Sequence, residues 1–168
     1  MSLCGLSCED ALGYGDMTAG QWQAWFAENP GALDAPCDIN NTGTVRALVQ
    51  HIFAVELRFA QRLLGEEVTS YEQLPVGTLE ELFAIHALAA EKYRRFLQTA
   101  TDAAMDEVIE VKLRTGQTLR VSRRNIFAHS QLHASRHWAQ LSTLVRHAGY
   151  PPIGHQDYLL YGASQSVG

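Results

Sequence analysis

The segment spanning residues 125–149 constrains the fold more than any other part of this 168-residue chain. Its apolar residues recur every three to four positions, so at about 3.6 residues per turn they form one stripe along a long helix. Ser122 is placed to cap the start of this helix, and Gly149 with the prolines after it ends it. A long helix with one apolar stripe needs other helices to cover that stripe. The segment therefore predicts a helical bundle.

Three histidines follow one another at four-residue steps in this helix: His129, His133 and His137. Neighbours at this spacing lie about 5–6 Å apart on one face, so two of them can reach one metal ion at roughly 2.0–2.1 Å. All three cannot, because eight residues rise about 12 Å. The apolar stripe places His133 and His137 inward, and His129 on the polar shoulder beside Arg136. The inward pair is a candidate metal-binding pair, although hydrogen-bonded core histidines would have the same spacing.

Three further amphipathic segments precede this helix, and each has a recognisable start or stop signal. The first segment is predicted to run from residue 16 or 18 to residue 28. The second runs from a cap at residue 41 or 42 to residue 64, and the third begins after a cap at residue 78. Alternating apolar residues at 108–113 and 119–121 flank Thr115 and Gly116, which predicts a β-hairpin. We therefore expect one all-α domain over residues 1–168, an antiparallel four-helix bundle with a small β-hairpin before the last long helix.

The second helix offers the third imidazole that a metal site would need. His51 lies at the edge of its core face, and with His133 and His137 on another helix of the bundle it completes a set of three ligands. Glu56 falls among apolar neighbours on the same helix and needs a partner, such as a cation or a ligand imidazole. His86 lies on the apolar stripe of the third helix, as a fourth ligand or as a core polar residue.

The composition of the chain argues against nucleic acid and membranes as partners. The net charge is −5 and the basic residues form no dense patch, which argues against a nucleic-acid-binding surface. No apolar run approaches the roughly 20 residues of a membrane span, and no signal peptide is recognisable. Cys4, Cys8 and Cys37 are odd in number, which indicates free thiols in a reducing cytoplasm. Cys4 and Cys8 are a weaker alternative metal-binding pair.

Three stretches of this sequence resemble the DinB/YfiT-like family of metal-binding four-helix bundles. They are ALVQHIFAVELRFAQRLLG on the second helix, AHSQLHASRHWAQLSTLVRHAGYPP on the last helix, and DYLLY near the end. The resemblance implies one histidine ligand from the second helix and two from the last, which fall on His51, His133 and His137. Ala139 and Gln140 stand where the family often has Gly-Gln after the last ligand.

The resemblance also bears on the reaction. Members of the wider superfamily include thiol-dependent S-transferases and a thiol-dependent maleylpyruvate isomerase, which implies a low-molecular-weight thiol as cosubstrate. We therefore expect a divalent-metal enzyme with zinc or nickel at its centre, acting on a small molecule as a transferase or a hydrolase. Glu56, His129 and Gln140 are candidates for supporting or acid–base roles. Substrate choice should lie in the loops around the site, residues 30–41 and 65–77.

Two other interpretations stay open at this stage. In one, the chain is a non-catalytic metal-binding or partner-binding bundle, which a fourth ligand such as His86 would favour. In the other, the histidines are only core polar residues. Assembly is also open: Trp138, Tyr158 and Tyr161 add apolar surface that suits a homodimer, whereas an apolar tail folded over its own bundle would leave a monomer.

Overall fold

Four long helices dominate the computed structural model, which describes residues 2–3, 6–113 and 116–165. The helices are α1 (Cys8–Glu28), α2 (Val45–Leu64), α3 (Leu79–Thr99), α4 (Asp102–Asp106), α5 (Arg123–His147) and α6 (Tyr158–Gln165). Three antiparallel pairs of strands join them: β1 (Ser2–Leu3) with β2 (Leu6–Ser7), β3 (Pro36–Cys37) with β4 (Gly43–Thr44), and β5 (Val108–Lys112) with β6 (Thr118–Ser122). The predicted all-α class, with a hairpin before the last long helix, is confirmed.

Helix α1 begins well before the predicted start at residue 16 or 18. Ser7 caps it, because its hydroxyl accepts a hydrogen bond from the backbone N–H of Asp10 at 2.9 Å and the Asp10 carboxylate accepts one from the backbone N–H of Ser7 at 3.2 Å. This reciprocal pair satisfies two backbone donors that a helix start leaves free. The helix consequently gains two turns in a segment that carries no clear apolar stripe.

Side-chain caps fix the starts of the other long helices. Thr78 caps α3 and Ser122 caps α5, as predicted. The predicted cap of α2 at residue 41 or 42 is wrong, because Asn40 and Asn41 have positive φ values of 54° and 55° and the chain enters the helix only after them. Thr44 caps α2 instead, accepting a hydrogen bond from the N–H of Ala47 at 3.2 Å.

Helices α2 and α5 pack side by side and run antiparallel. His51 of α2 meets His133 of α5, and Phe59, two turns later on α2, meets His129, one turn earlier on α5. Residue numbers therefore rise on one helix as they fall on the other. This pairing places the first half of α2 opposite the middle of α5, where the predicted ligands lie.

Helices α2 and α3 run parallel, and α1 packs antiparallel to α3. The rings of Phe53 and Phe83 lie 4.9 Å apart, and Glu56 meets His86 three residues further along both helices. The connection between these helices carries the chain back to the start of α2, where the Gln50 amide donates to the Leu74 carbonyl at 3.0 Å. The bundle is thus antiparallel between α1 and α3 and between α2 and α5, with α2 and α3 aligned in direction.

The core is rich in aromatic rings. Trp138 of α5 is buried and stacks on Trp22 of α1 at 5.4 Å, so the expectation that Trp138 contributes to a dimer surface is wrong. Tyr158 and Tyr161 of α6 pack edge-on against Tyr14 of α1, so the tail docks on its own bundle. A homodimer stays a prediction.

No helix in the described residues combines the length and the apolar character that crossing a bilayer requires. Thr115 of the predicted hairpin turn and Cys4 of the alternative metal pair lie outside the described residues.

Candidate metal centre

Three imidazoles converge at the interface of α2 and α5. His51 comes from α2, and His133 and His137 come from adjacent turns of α5. One ring nitrogen from each lies within 4.8 Å of the other two, and the ring centroids are 4.5–5.2 Å apart. The structure therefore brings together the three histidines that the sequence singled out.

The spacing of the ring nitrogens fits a bound ion. The Nε2 atoms of His51 and His133 are 3.1 Å apart. Two ligands at 2.0–2.1 Å from one ion would be about 3.0 Å apart at a right angle and about 3.4 Å apart at the tetrahedral angle. The observed separation lies between these values, so one divalent ion can bind both nitrogens with little movement of the helices.

A hydrogen bond orients the third imidazole. Nδ1 of His137 donates to the Oε1 atom of Gln140 at 2.8 Å, which makes Nε2 the ring nitrogen with the electron pair that an ion could bind. Metal-binding histidines in proteins commonly have such a partner on the second ring nitrogen. Gln140, one of the predicted supporting residues, is thus in contact with a predicted ligand.

The surroundings favour neutral imidazoles. Burial, followed by the nearby charges of His137, His51 and Arg136, lowers the pKa of His133 to about 3. Burial also lowers the pKa of His137, against the hydrogen bond that His137 donates to Gln140, which raises it. Nδ1 of His133 is buried and has no hydrogen-bond partner among the described residues. Neutral imidazoles are the form that binds metal ions, so the chemistry of these donors fits a divalent ion.

Three residues around the cluster were missed in the sequence. The Asn40 amide lies 3.2 Å from Nε2 of His51, and the Tyr71 ring stacks on the His51 ring at 6.3 Å. Nη2 of Arg136 lies 3.3 Å from Nε2 of His137. Asn40 and Tyr71 belong to the loops expected to border the site, but nothing in the sequence singles them out within those loops. Arg136 could have been predicted, because it is adjacent to His137 in the chain.

Glu56, a predicted supporting residue, faces away from the three imidazoles. Its carboxylate binds Nδ1 of His86 at 2.8 Å, and the other nitrogen of His86 lies 3.2 Å from Asp16. Burial opposes the charge on His86, but the charge of Glu56 and the hydrogen bonds to both carboxylates outweigh it and raise the pKa of His86 to about 10. His86 is therefore the cationic partner of Glu56 in the core, and it is not grouped with the three imidazoles.

His129 lies beside the cluster without joining it. The residue is exposed, its ring centroid is 5.7 Å from that of His133, and it packs edge-on against Phe59 at 5.4 Å. Burial of part of the ring, followed by the charge of Arg136, lowers the pKa of His129. The helical periodicity predicted that His129 lies on the polar shoulder of α5, outside the inward pair, and this placement agrees with that prediction.

Comparison with known proteins supplies one match. A family model described as DinB family matches residues 16–165. This span starts within α1, ends in α6 and includes all three converging histidines. A search of curated proteins gives no match for the chain.

Proposed function

Because this chain belongs to the DinB family, we propose that it binds a divalent metal ion through His51, His133 and His137 and acts as an enzyme on a small molecule. The observation that carries the proposal is the convergence of three imidazoles from two helices, with two Nε2 atoms 3.1 Å apart. Imidazole ligands suit zinc and nickel, and we propose one of these as the native metal.

Three protein ligands are the number found in catalytic zinc sites, which keep a position open for water or substrate. The group of potential ligands in the described residues consists of the three histidines alone, and the Asn40 amide and the Arg136 guanidinium beside them donate hydrogen bonds. An ion with an open position lowers the pKa of a bound water to about 7 or deprotonates a bound thiol. We therefore propose a thiol-dependent transferase, with a hydrolase as the alternative reaction.

The surrounding residues have roles that follow from their positions. Gln140 holds the His137 ring in the orientation that directs Nε2 to the centre. Arg136 supplies a positive charge beside His137, where it can bind a negatively charged part of the substrate. His129 presents an imidazole with a lowered pKa one turn from His133, and we propose it as the acceptor of the proton that a thiol or a water molecule loses.

One observation favours a second function, a non-catalytic metal-binding or partner-binding bundle. A cavity of about 600 Å³ lies between α1, α5 and the tail. Residues such as Tyr14 and Tyr158 line it, and the three histidines do not. An enzyme usually places its reactive centre in a substantial cleft, so a metal site outside this cavity suits a structural or sensing role as well.

Cobalt substitution distinguishes the two functions. Cobalt(II) replaces zinc in such sites and shows a charge-transfer absorption band when a thiolate binds it. If the centre has an open position, titrating the cobalt-loaded protein with 2-mercaptoethanol should produce this band, and His137→Ala should not show it. A cobalt spectrum that does not change on adding the thiol would indicate a closed centre and support the non-catalytic function.

A further inference from the structure

A small basic cavity lies next to the candidate metal centre. It encloses about 120 Å³ between α2, β5 and the turn at Tyr71. Arg58 and Arg62 of α2 and Lys112 of β5 line it, and none of its described lining residues is acidic. We call these three residues and the space between them the arginine pocket. A pocket of one charge sign stands out in a chain whose net charge is −5.

Helical geometry places the arginine pocket close to the three imidazoles. Arg58 follows His51 by seven residues, which is two turns on the same face of α2 and about 10 Å along the helix. Val55 also lines the pocket, and it lies only one turn, about 6 Å, from His51. The Tyr71 ring connects the two sites, since it stacks on His51 and lies 4.8 Å below the Arg58 guanidinium.

Both guanidinium groups are held in place. Arg58 donates to the Thr69 carbonyl, and Arg62 donates to the Arg58 carbonyl at 3.1 Å while its guanidinium lies 5.4 Å from the centre of the Phe59 ring. Each of these hydrogen bonds uses only one of the five N–H groups of an arginine. The remaining donors are thus available to a ligand without a large loss of side-chain entropy.

The charges of Arg58 and Arg62 are not compensated within the described part of the protein. Neither forms an ion pair with a carboxylate there, in contrast to five other arginines: Arg46, Arg94, Arg95, Arg123 and Arg124. Burial, followed by the charge of Arg58, lowers the pKa of Arg62. A bound anion would relieve the repulsion between these two like charges.

We propose that the arginine pocket binds an oxyanion group, a carboxylate or a phosphate, of the substrate or thiol cosubstrate. Arginine presents paired N–H donors that match the oxygens of both groups. The reacting atom of the same molecule then lies at the histidine centre, about 6–10 Å from the oxyanion. The position of the reacting atom at the histidine centre rests on the proposed function, whereas oxyanion binding by the pocket requires no metal. The pocket thus selects small anionic molecules over neutral ones.

The test uses the metal-free protein, with succinate and inorganic phosphate as separate probes in calorimetric titrations. The variant is Arg58→Gln combined with Arg62→Gln, and the control is Arg120→Gln, which removes one positive charge from an exposed position on β6. The wild type and the control should bind a probe with affinities that agree within about twofold. The double variant should bind it about tenfold more weakly or worse, because it loses hydrogen bonds between charged groups. The probe that binds more tightly identifies the oxyanion as a carboxylate or a phosphate.

Two results would overturn the proposal: no binding of either probe to the wild type at millimolar concentration, or equal binding to the double variant. If the double variant has no cooperative thermal transition, it is not folded, and the single variant Lys112→Gln, at an exposed position, replaces it in the test. A loss of about threefold or more in its affinity supports the pocket, and unchanged affinity contradicts it. Titrating the same metal-free protein with zinc separates the two proposals, since a chain that binds the probe but no zinc would retain the pocket and refute the metal enzyme.

Discussion

Nε2 of His51 and Nε2 of His133 lie 3.1 Å apart although 82 residues separate them in the chain. Two neutral imidazoles that direct electron pairs at each other repel, so a contact this short is favourable only with a proton or a cation between the nitrogens. The low pKa of His133, about 3, keeps its ring neutral at neutral pH, so a shared proton would have to be the single N–H of one neutral ring, placed at Nε2. A metal ion satisfies both nitrogens and leaves both rings neutral.

The hydrogen bond from His137 to Gln140 should strengthen metal binding. We expect Gln140→Leu to lower zinc affinity by about 10–100-fold, the usual effect of losing a partner that orients a ligand. Gln140 is exposed, so the thermal stability of the metal-free protein should hardly change. Competition titrations against a zinc chelator measure the affinity. Gln23→Leu, at an exposed position on α1, is the matched control, and an equal loss in both variants would refute the role of Gln140.

The guanidinium of Arg136 should compete with the metal ion. Two like unit charges about 4 Å apart cost about 1 kcal/mol even in water, and the cost doubles for a divalent ion, so Arg136→Gln should raise zinc affinity by at least about fivefold. The gain should shrink as salt is added, because ions screen the exposed charge. Arg146→Gln removes the same charge from an exposed position in the last turn of α5 and should change the affinity less. A drop in zinc affinity on replacing Arg136 would show that it supports the site.

Periodicity and capping rules were sufficient to predict α5 and the inward positions of His133 and His137. They also located His51, because an apolar stripe reports which residues face the partner helix. The early start of α1 was not predicted, since Gly13 and Gly15 interrupt its apolar pattern and the capping pair lies outside that pattern. A hydrogen-bonded cap alone determines that boundary.

Relations between helices were harder to predict than the helices themselves. The parallel direction of α2 and α3 depends on the path of residues 65–78, which carries no periodic signal. The contact of Glu56 with His86 and Asp16 depends on how three helices are rotated relative to one another. Glu56 was recognised as a buried carboxylate that needs a partner, but one sequence cannot distinguish His86 from a metal-ligand histidine as that partner.

The buried pair of His86 and Glu56 should make stability depend on pH. The pKa of His86 is raised from about 6.5 in the unfolded chain to about 10 in the fold, so its bound proton stabilises the protein fully below pH 6.5. That contribution is lost as the pH rises towards 10. The charged groups facing His86 are Glu56 of α2 and Asp16 of α1, and Asp16 also pairs with Arg94.

Comparing the wild type with His86→Leu in chemical unfolding isolates this effect. At pH 6 the variant should be less stable by about 3–5 kcal/mol, the usual cost of removing one partner of a buried ion pair. The difference should decrease towards pH 10. His155→Leu, at a histidine whose side chain is 88% exposed, is the control and should stay close to the wild type throughout. A difference that grows with pH would contradict the raised pKa.

Zinc binding by the wild type and three histidine variants tests the central claim most directly. The wild type and His129→Ala should each bind one equivalent of zinc, and His133→Ala and His137→Ala should lose most of the affinity, because the remaining imidazoles cannot complete the set of three. At a zinc concentration of about one hundred times the dissociation constant, binding should stabilise the wild type by about 2.7 kcal/mol and leave the His133→Ala melting temperature unchanged. A wild type that binds no zinc, or a His129→Ala variant that loses zinc while His137→Ala retains it, would contradict the assignment of His51, His133 and His137 as the ligands.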